Sequence, residues 1–114
     1  MKKLLLASLC FFSTLSPALA DFSCKGKISY LAVGRNGTIL VKGPGGLNYV
    51  YICNLQNKLN NVEVEACKGM YSTLLAAKSQ DIEVNITFNN PDIESCSSIK
   101  SWSVAKNLNW IMTN

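Results

Sequence analysis

There is no histidine anywhere in the 114 residues. That absence removes the commonest general base, and with it the Ser–His and Cys–His pairs of nucleophilic catalysis. It also argues against zinc, because no Cys-x-x-Cys pair stands in for the missing imidazoles. A phosphate loop is missing too. Gly43-Pro44-Gly45-Gly46 has no lysine and no helical pattern behind it, and Pro44 removes one donor, so the segment reads as a turn. There is no run of basic residues of the kind that binds nucleic acid. No apolar run reaches the length of a membrane span. The expectation is a protein that is not an enzyme, uses no cofactor or metal, binds no nucleic acid and does not insert into a membrane.

The N-terminus carries a different signal. Lys2 and Lys3 precede an apolar run over 4–12, and Ala18-Leu19-Ala20 supplies small residues for cleavage, the three parts of a secretory signal peptide. Cys10 is a poor lipoprotein site, since Leu9 precedes it and the apolar run continues past it. Cleavage near Ala20 leaves a single domain of 94 residues, 21–114, secreted or periplasmic. Without Lys2 and Lys3 the formal charge falls from +4 to +2, close to neutral. A domain of this size has a marginal core unless it is stapled.

Staples are available. Four of the five cysteines follow the leader: Cys24, Cys53, Cys67 and Cys96. An even number in a short exported chain implies two disulfides, with three possible connectivities. The favoured one pairs Cys53 with Cys67, closing the loop between two successive strands, and Cys24 with Cys96, tying the N-terminal lead-in to a late loop.

The patterning is mostly that of strands. Residues 28–33 are β-branched and aromatic, and Asn36-Gly37 then gives a tight turn before a second strand over 38–42. A third strand over 47–53, rich in Tyr, Val and Ile, completes a meander. Residues 54–61 form a polar loop. Val62-Glu63-Val64-Glu65-Ala66 alternates apolar with charged and reads as a fourth strand, with Glu63 and Glu65 on its solvated face rather than paired for catalysis. Met70, Tyr71, Leu74 and Leu75 recur at helical spacing, and Lys78 suits a helix end. Residues 82–88 alternate cleanly as a fifth strand, and Asn89-Asn90-Pro91-Asp92 turns the chain. Residues 93–106 show no clear period, and Leu108, Trp110 and Met112 suggest a last strand.

This order fits a mainly β fold with one helix, a small disulfide-stapled OB-like Greek-key barrel whose helix plugs one end. Burying Met70, Leu74 and Leu75 there would contribute about 1.5–3 kcal/mol each before entropy. A two-layer α+β sandwich is the alternative.

The aromatics carry what chemistry there is. Tyr30, Tyr49, Tyr51, Phe88, Trp102 and Trp110 are many large rings for so small a chain. Tyr49 and Tyr51 share a strand face, and Trp102 lies in a Ser-rich polar segment. An exposed ring beside Asn and Ser donors suits a sugar, which has an apolar face and a hydroxylated rim. Phe88 and Trp110 are expected in the core. The candidate glycan-binding residues are Tyr49, Tyr51, Asn89, Asn90 and Trp102.

Residues 62–68, 71–78 and 81–88 together resemble the B subunits of pertussis-like and related one-A, five-B bacterial toxins. There a strand ending in a half-cystine leads into a striped helix and then an alternating strand. Cys53 before a polar loop and the terminal Trp110-Ile111-Met112-Thr113-Asn114 fit the same pattern, and Phe88-Asn89-Asn90 is similar to a strand end of cholera-type B subunits. The resemblance implies an OB barrel, a homopentamer, recognition of host cell-surface glycan and delivery of a separate enzymatic A subunit. The alternative function is a monomeric periplasmic or secreted interaction module, such as a hydrolase inhibitor. Asn36-Gly37-Thr38 and Asn85-Ile86-Thr87 are formal glycosylation sequons, idle in a bacterial source.

Overall fold

A computed structural model describes residues 22–113. The expected signal peptide lies outside them. The strands are β1 (Phe22–Lys27), β2 (Tyr30–Val33), β3 (Thr38–Lys42), β4 (Val50–Asn54), β5 (Glu83–Phe88) and β6 (Leu108–Thr113), and one helix, α1 (Val64–Gln80), separates β4 from β5. Two three-stranded antiparallel sheets result, ordered β1-β5-β6 and β2-β3-β4. The fold is mainly β with one helix and two disulfides.

The N-terminal strand starts earlier than the sequence pattern indicates. Residues 28–33 are not one strand: Ile28 is buried and Ser29 bonds back to Lys42, so the pairing with β3 begins at Tyr30. The lead-in 22–27, which shows little alternation, is itself a strand paired with β5. Only two residues separate β1 from β2, so one nearly continuous stretch serves both sheets. A parallel bridge between Tyr51 and Val104 joins β4 to the late segment, with Tyr51 donating to Ser103 and Ala105 donating to Tyr51. This pairing does not conflict with an OB-like barrel.

The segment 62–66 is corrected. It is not a strand: Asn60 and Asn61 both take left-handed backbone, and α1 starts at Val64 with Glu63 as its N-cap. Five alternating residues are too few to hold a strand when two acids stand where they complement the positive end of a helix. Glu63 and Glu65 therefore do not share a strand face; each pairs with a lysine, Lys58 at 2.9 Å and Lys68 at 3.1 Å, and these pairs are exposed. Cys67 lies in the helix, so Cys53–Cys67 pins α1 to β4 rather than linking two strands. Cys24–Cys96 ties β1 to a 3-10 turn at Cys96–Ser98. These are the pairings expected. They close loops of 14 and 72 residues, which in the chain-entropy account contributes about 3 and about 4 kcal/mol.

The helix packs on β2 and β4 of one sheet and on β5 and β6 of the other. A helix laid across a single sheet would not do this. Cys67, Leu74 and Ala77 are buried, whereas Leu75 is 48% exposed, so the plug expected of Met70, Leu74 and Leu75 is built on Leu74 with Met70 and Tyr71 at its margin. Ile39, Val41, Leu47, Val50, Ile52, Val84, Ile86 and Phe88 fill the centre. Gly45, at φ +62°, lets the turn Pro44–Gly46 lie against the Cys24–Cys96 disulfide; a Cβ there would fall 2.8 Å from Cys24 Cα and from Cys96 Sγ.

Phe88 is core, as expected, but Trp110 is not. A bulge between β5 and β6 sets Thr87 opposite Trp110 and Phe88 opposite Leu108, so Asn109 is the extra residue of β6. The extra residue resets the alternation, so Leu108 and Ile111 turn inward while Trp110 is 59% exposed.

Candidate functional site: an exposed ring platform

The chain from Leu47 to Val50 is anchored at both ends, since both side chains are buried. Between them Tyr49 takes left-handed backbone, φ 53°, so β4 begins only at Val50. Tyr49 and Tyr51 therefore do not share a strand face, contrary to expectation. The late segment behaves alike. Ala105 is fully buried, Ser103 Oγ donates to the Lys100 carbonyl at 2.6 Å, and Trp102 between them has φ 60°. Left-handed backbone at a bulky aromatic is a true outlier, and each instance costs about 1–3 kcal/mol unless its surroundings impose it.

Here the surroundings do impose it. Trp102 N–H donates to the Tyr49 carbonyl at 2.7 Å, and Asn48 Nδ2 donates to Ser101 Oγ at 2.9 Å. Tyr51 continues the zipper through its bonds to Ser103 and Ala105, both 2.9 Å. The consequence is ring stacking. Tyr49 and Trp102 are nearly parallel, 4° apart, with centroids separated by 5.2 Å. Tyr51 meets Trp102 edge-on at 6.4 Å, and Tyr30 leans on Tyr49 at 5.7 Å. Lys42 Nζ stands 4.7 Å from the Tyr49 centroid and 5.5 Å from that of Tyr30. Aromatic pairs of this kind contribute about 0.5–1.5 kcal/mol each, so the contacts and the backbone strain are of similar size. The arrangement is not an economical way to stabilise a fold, and Trp102 remains 61% exposed.

Beside the rings runs a groove of about 290 Å³, formed by 32–34, Asn36, Thr38, Leu40, Tyr51 and Trp102. Its lining is mostly apolar, and Asn36 and Thr38 add an amide and a hydroxyl, whose oxygens accept from Thr38 N–H at 3.2 Å and Asn54 Nδ2 at 3.1 Å. Such a groove can stack one face of a ring-shaped ligand and bond its rim.

Three of the five expected residues, Tyr49, Tyr51 and Trp102, are thus brought together. Asn89 and Asn90 are not. Asn89 lines a separate cavity with Asn60, Asn61, Asn107, Leu108 and Asn109, and Asn90 lines a third depression with Asp92 and Lys106. Asn90 also closes its own turn, its Oδ1 accepting from Asp92 N–H at 3.0 Å. Tyr30 and Lys42 are the additions to the platform. Their signal was available: they are register partners, equidistant from Asn36, so counting outward from the Asn-Gly turn pairs them. Asn48 and Ser101 have no comparable signal, because 53 residues separate them.

No family model, no curated protein and no solved structure matches the chain.

Proposed function

We propose that this chain is a glycan-binding protein of the toxin B-subunit type, which recognises host cell-surface carbohydrate by ring stacking and hydrogen bonding, without catalysis. The observation that carries this reading is the Tyr49–Trp102 stack, held exposed on two left-handed residues beside a groove. Strain maintained at a solvent-facing site supports a functional rather than a structural role. The two disulfides fit an oxidising compartment, and no described helix is long and apolar enough to cross a membrane.

Assembly into a homopentamer fits the free edges. Among the described residues β6 pairs only with β5, and β2 only with β3. The other two edges are covered: β1 packs on the Pro44–Gly46 turn, and β4 is bridged to Val104. Trp110 and Met112 are exposed on β6, apolar surface for a contact between copies, whereas the exposed Tyr30 and Val33 of β2 belong to the platform and its groove. An enzymatic A subunit would then be the partner carried by the ring.

A glycan array probed with the oxidised chain tests the reading. Wild type should retain a defined set of glycans, and Trp102→Ala should bind them about tenfold more weakly, the equivalent of about 1.4 kcal/mol. Absence of any bound glycan for a folded oligomer would sink it. A monomer by light scattering would favour a stand-alone interaction module instead.

A further inference from the structure

The cavity that holds Asn89 shares no lining residue with the ring groove. It measures about 340 Å³, and five of its six lining residues are asparagines: Asn60, Asn61, Asn89, Asn107 and Asn109, with Leu108. Three chain segments meet there. Asn60 locks two of them together: its Nδ2 donates to the carbonyls of Ile52 at 3.0 Å and Ala105 at 2.6 Å, and its Oδ1 accepts from Asn107 N–H at 2.7 Å. Asn89 N–H donates to the Asn107 carbonyl at 2.8 Å and fixes the third. Asn60, Asn61 and Asn107 all adopt left-handed backbone, φ 59°, 59° and 63°, a conformation that asparagine tolerates better than most residues.

The amide of Asn60 is therefore spent on the frame, while the frame itself holds Asn61, Asn89 and Asn107 at the cavity wall. Each side-chain amide offers both donors and an acceptor and carries no charge. Neighbouring hydroxyls of a sugar ring need that combination, since every hydroxyl both donates and accepts. A carboxylate or phosphate would want cations, and among the described residues none lines this wall. We infer that the asparagine cradle is a second saccharide site, independent of the ring platform, that takes an uncharged hexose through its hydroxyls. Five steps of chain separate Trp102 from Asn107, so their Cα atoms lie within about 18 Å of each other.

The test is a titration of ¹⁵N-labelled oxidised chain with neutral methyl hexosides (gluco, galacto and manno), with glucuronate as the charged control, read by NMR at the side-chain amides. Saturable shifts of the Asn61, Asn89 and Asn107 amides are expected with at least one hexoside and not with glucuronate. They should persist in Trp102→Ala, so failure of the ring platform does not remove them. Asn107→Gly keeps the left-handed backbone available and should weaken the response about fivefold, as loss of one or two hydrogen bonds requires. No saturable shift at these amides with any hexoside overturns the inference. So does a response that vanishes in Trp102→Ala, which would make the rings the sole site.

Discussion

Tyr49 and Trp102 each place a large ring on backbone that glycine would occupy at no cost. Trp102→Gly removes the stack and the strain together, so the two changes nearly cancel. Its unfolding free energy in urea is expected within about 1.5 kcal/mol of wild type, although glycan retention falls sharply. A loss above about 3 kcal/mol would mean that the ring is there for stability. Asn60 is the opposite case. It looks like one more polar loop residue, yet its side chain makes three hydrogen bonds, two of them across 45 and 47 residues of sequence. Asn60→Ala leaves those backbone groups without their partner and strains the backbone, and a loss of about 2–4 kcal/mol is expected by the same assay. Such residues are hidden in a sequence because their partners are carbonyls and N–H groups, which have no letter of their own.

Elements with a clear local signal were legible: β3 falls on 38–42, just after the Asn36-Gly37 turn, and β5 lies within the cleanly alternating 82–88. Among the segments that were not, two show distinct reasons. Val62 to Ala66 alternates, but its period is overridden by the acids at a helix start and by Cys67, which must face β4 from the helix to form its disulfide. In β6 the alternation is real but a bulge displaces it by one residue, which a single strand read alone cannot reveal. The Glu63→Gln, Glu65→Gln double variant tests whether these acids do more than cap the helix. Both carboxylates are exposed and paired with surface lysines, so glycan binding should be unchanged and stability should shift by less than about 1 kcal/mol in thermal unfolding. Loss of binding would place these residues in the site. Gly45→Ala is expected to be far more harmful than an ordinary turn substitution, because the new Cβ meets the Cys24 backbone at 2.8 Å.

In the molecule as a whole, the stapled, mainly β build with one helix was legible in the even cysteine count, the chain length and the number of short strands. The closure was not. It depends on residues 99–106, which have no period because they pair through single backbone bonds to Tyr49 and Tyr51 rather than as a strand. The same segment carries Trp102 on one side and leads to Asn107 on the other, so closing the fold and building both candidate sites are one event. Loss of the Cys53–Cys67 disulfide in a Cys53→Ala, Cys67→Ala variant should cost about 3 kcal/mol in urea unfolding, by freeing α1 from β4. The open edges of β2 and β6 belong to this scale as well. Trp110→Lys should leave the fold intact and reduce the assembled mass seen by light scattering, whereas an unchanged mass would place the contact elsewhere. Whether the stack made by the 99–106 segment binds sugar is decided by glycan-array retention of the oxidised wild-type chain beside Trp102→Ala. Wild type should retain a defined glycan set, and the variant should retain it about tenfold more weakly. Equal retention by the two, or none by a folded wild type, would rule out the stack as a glycan site.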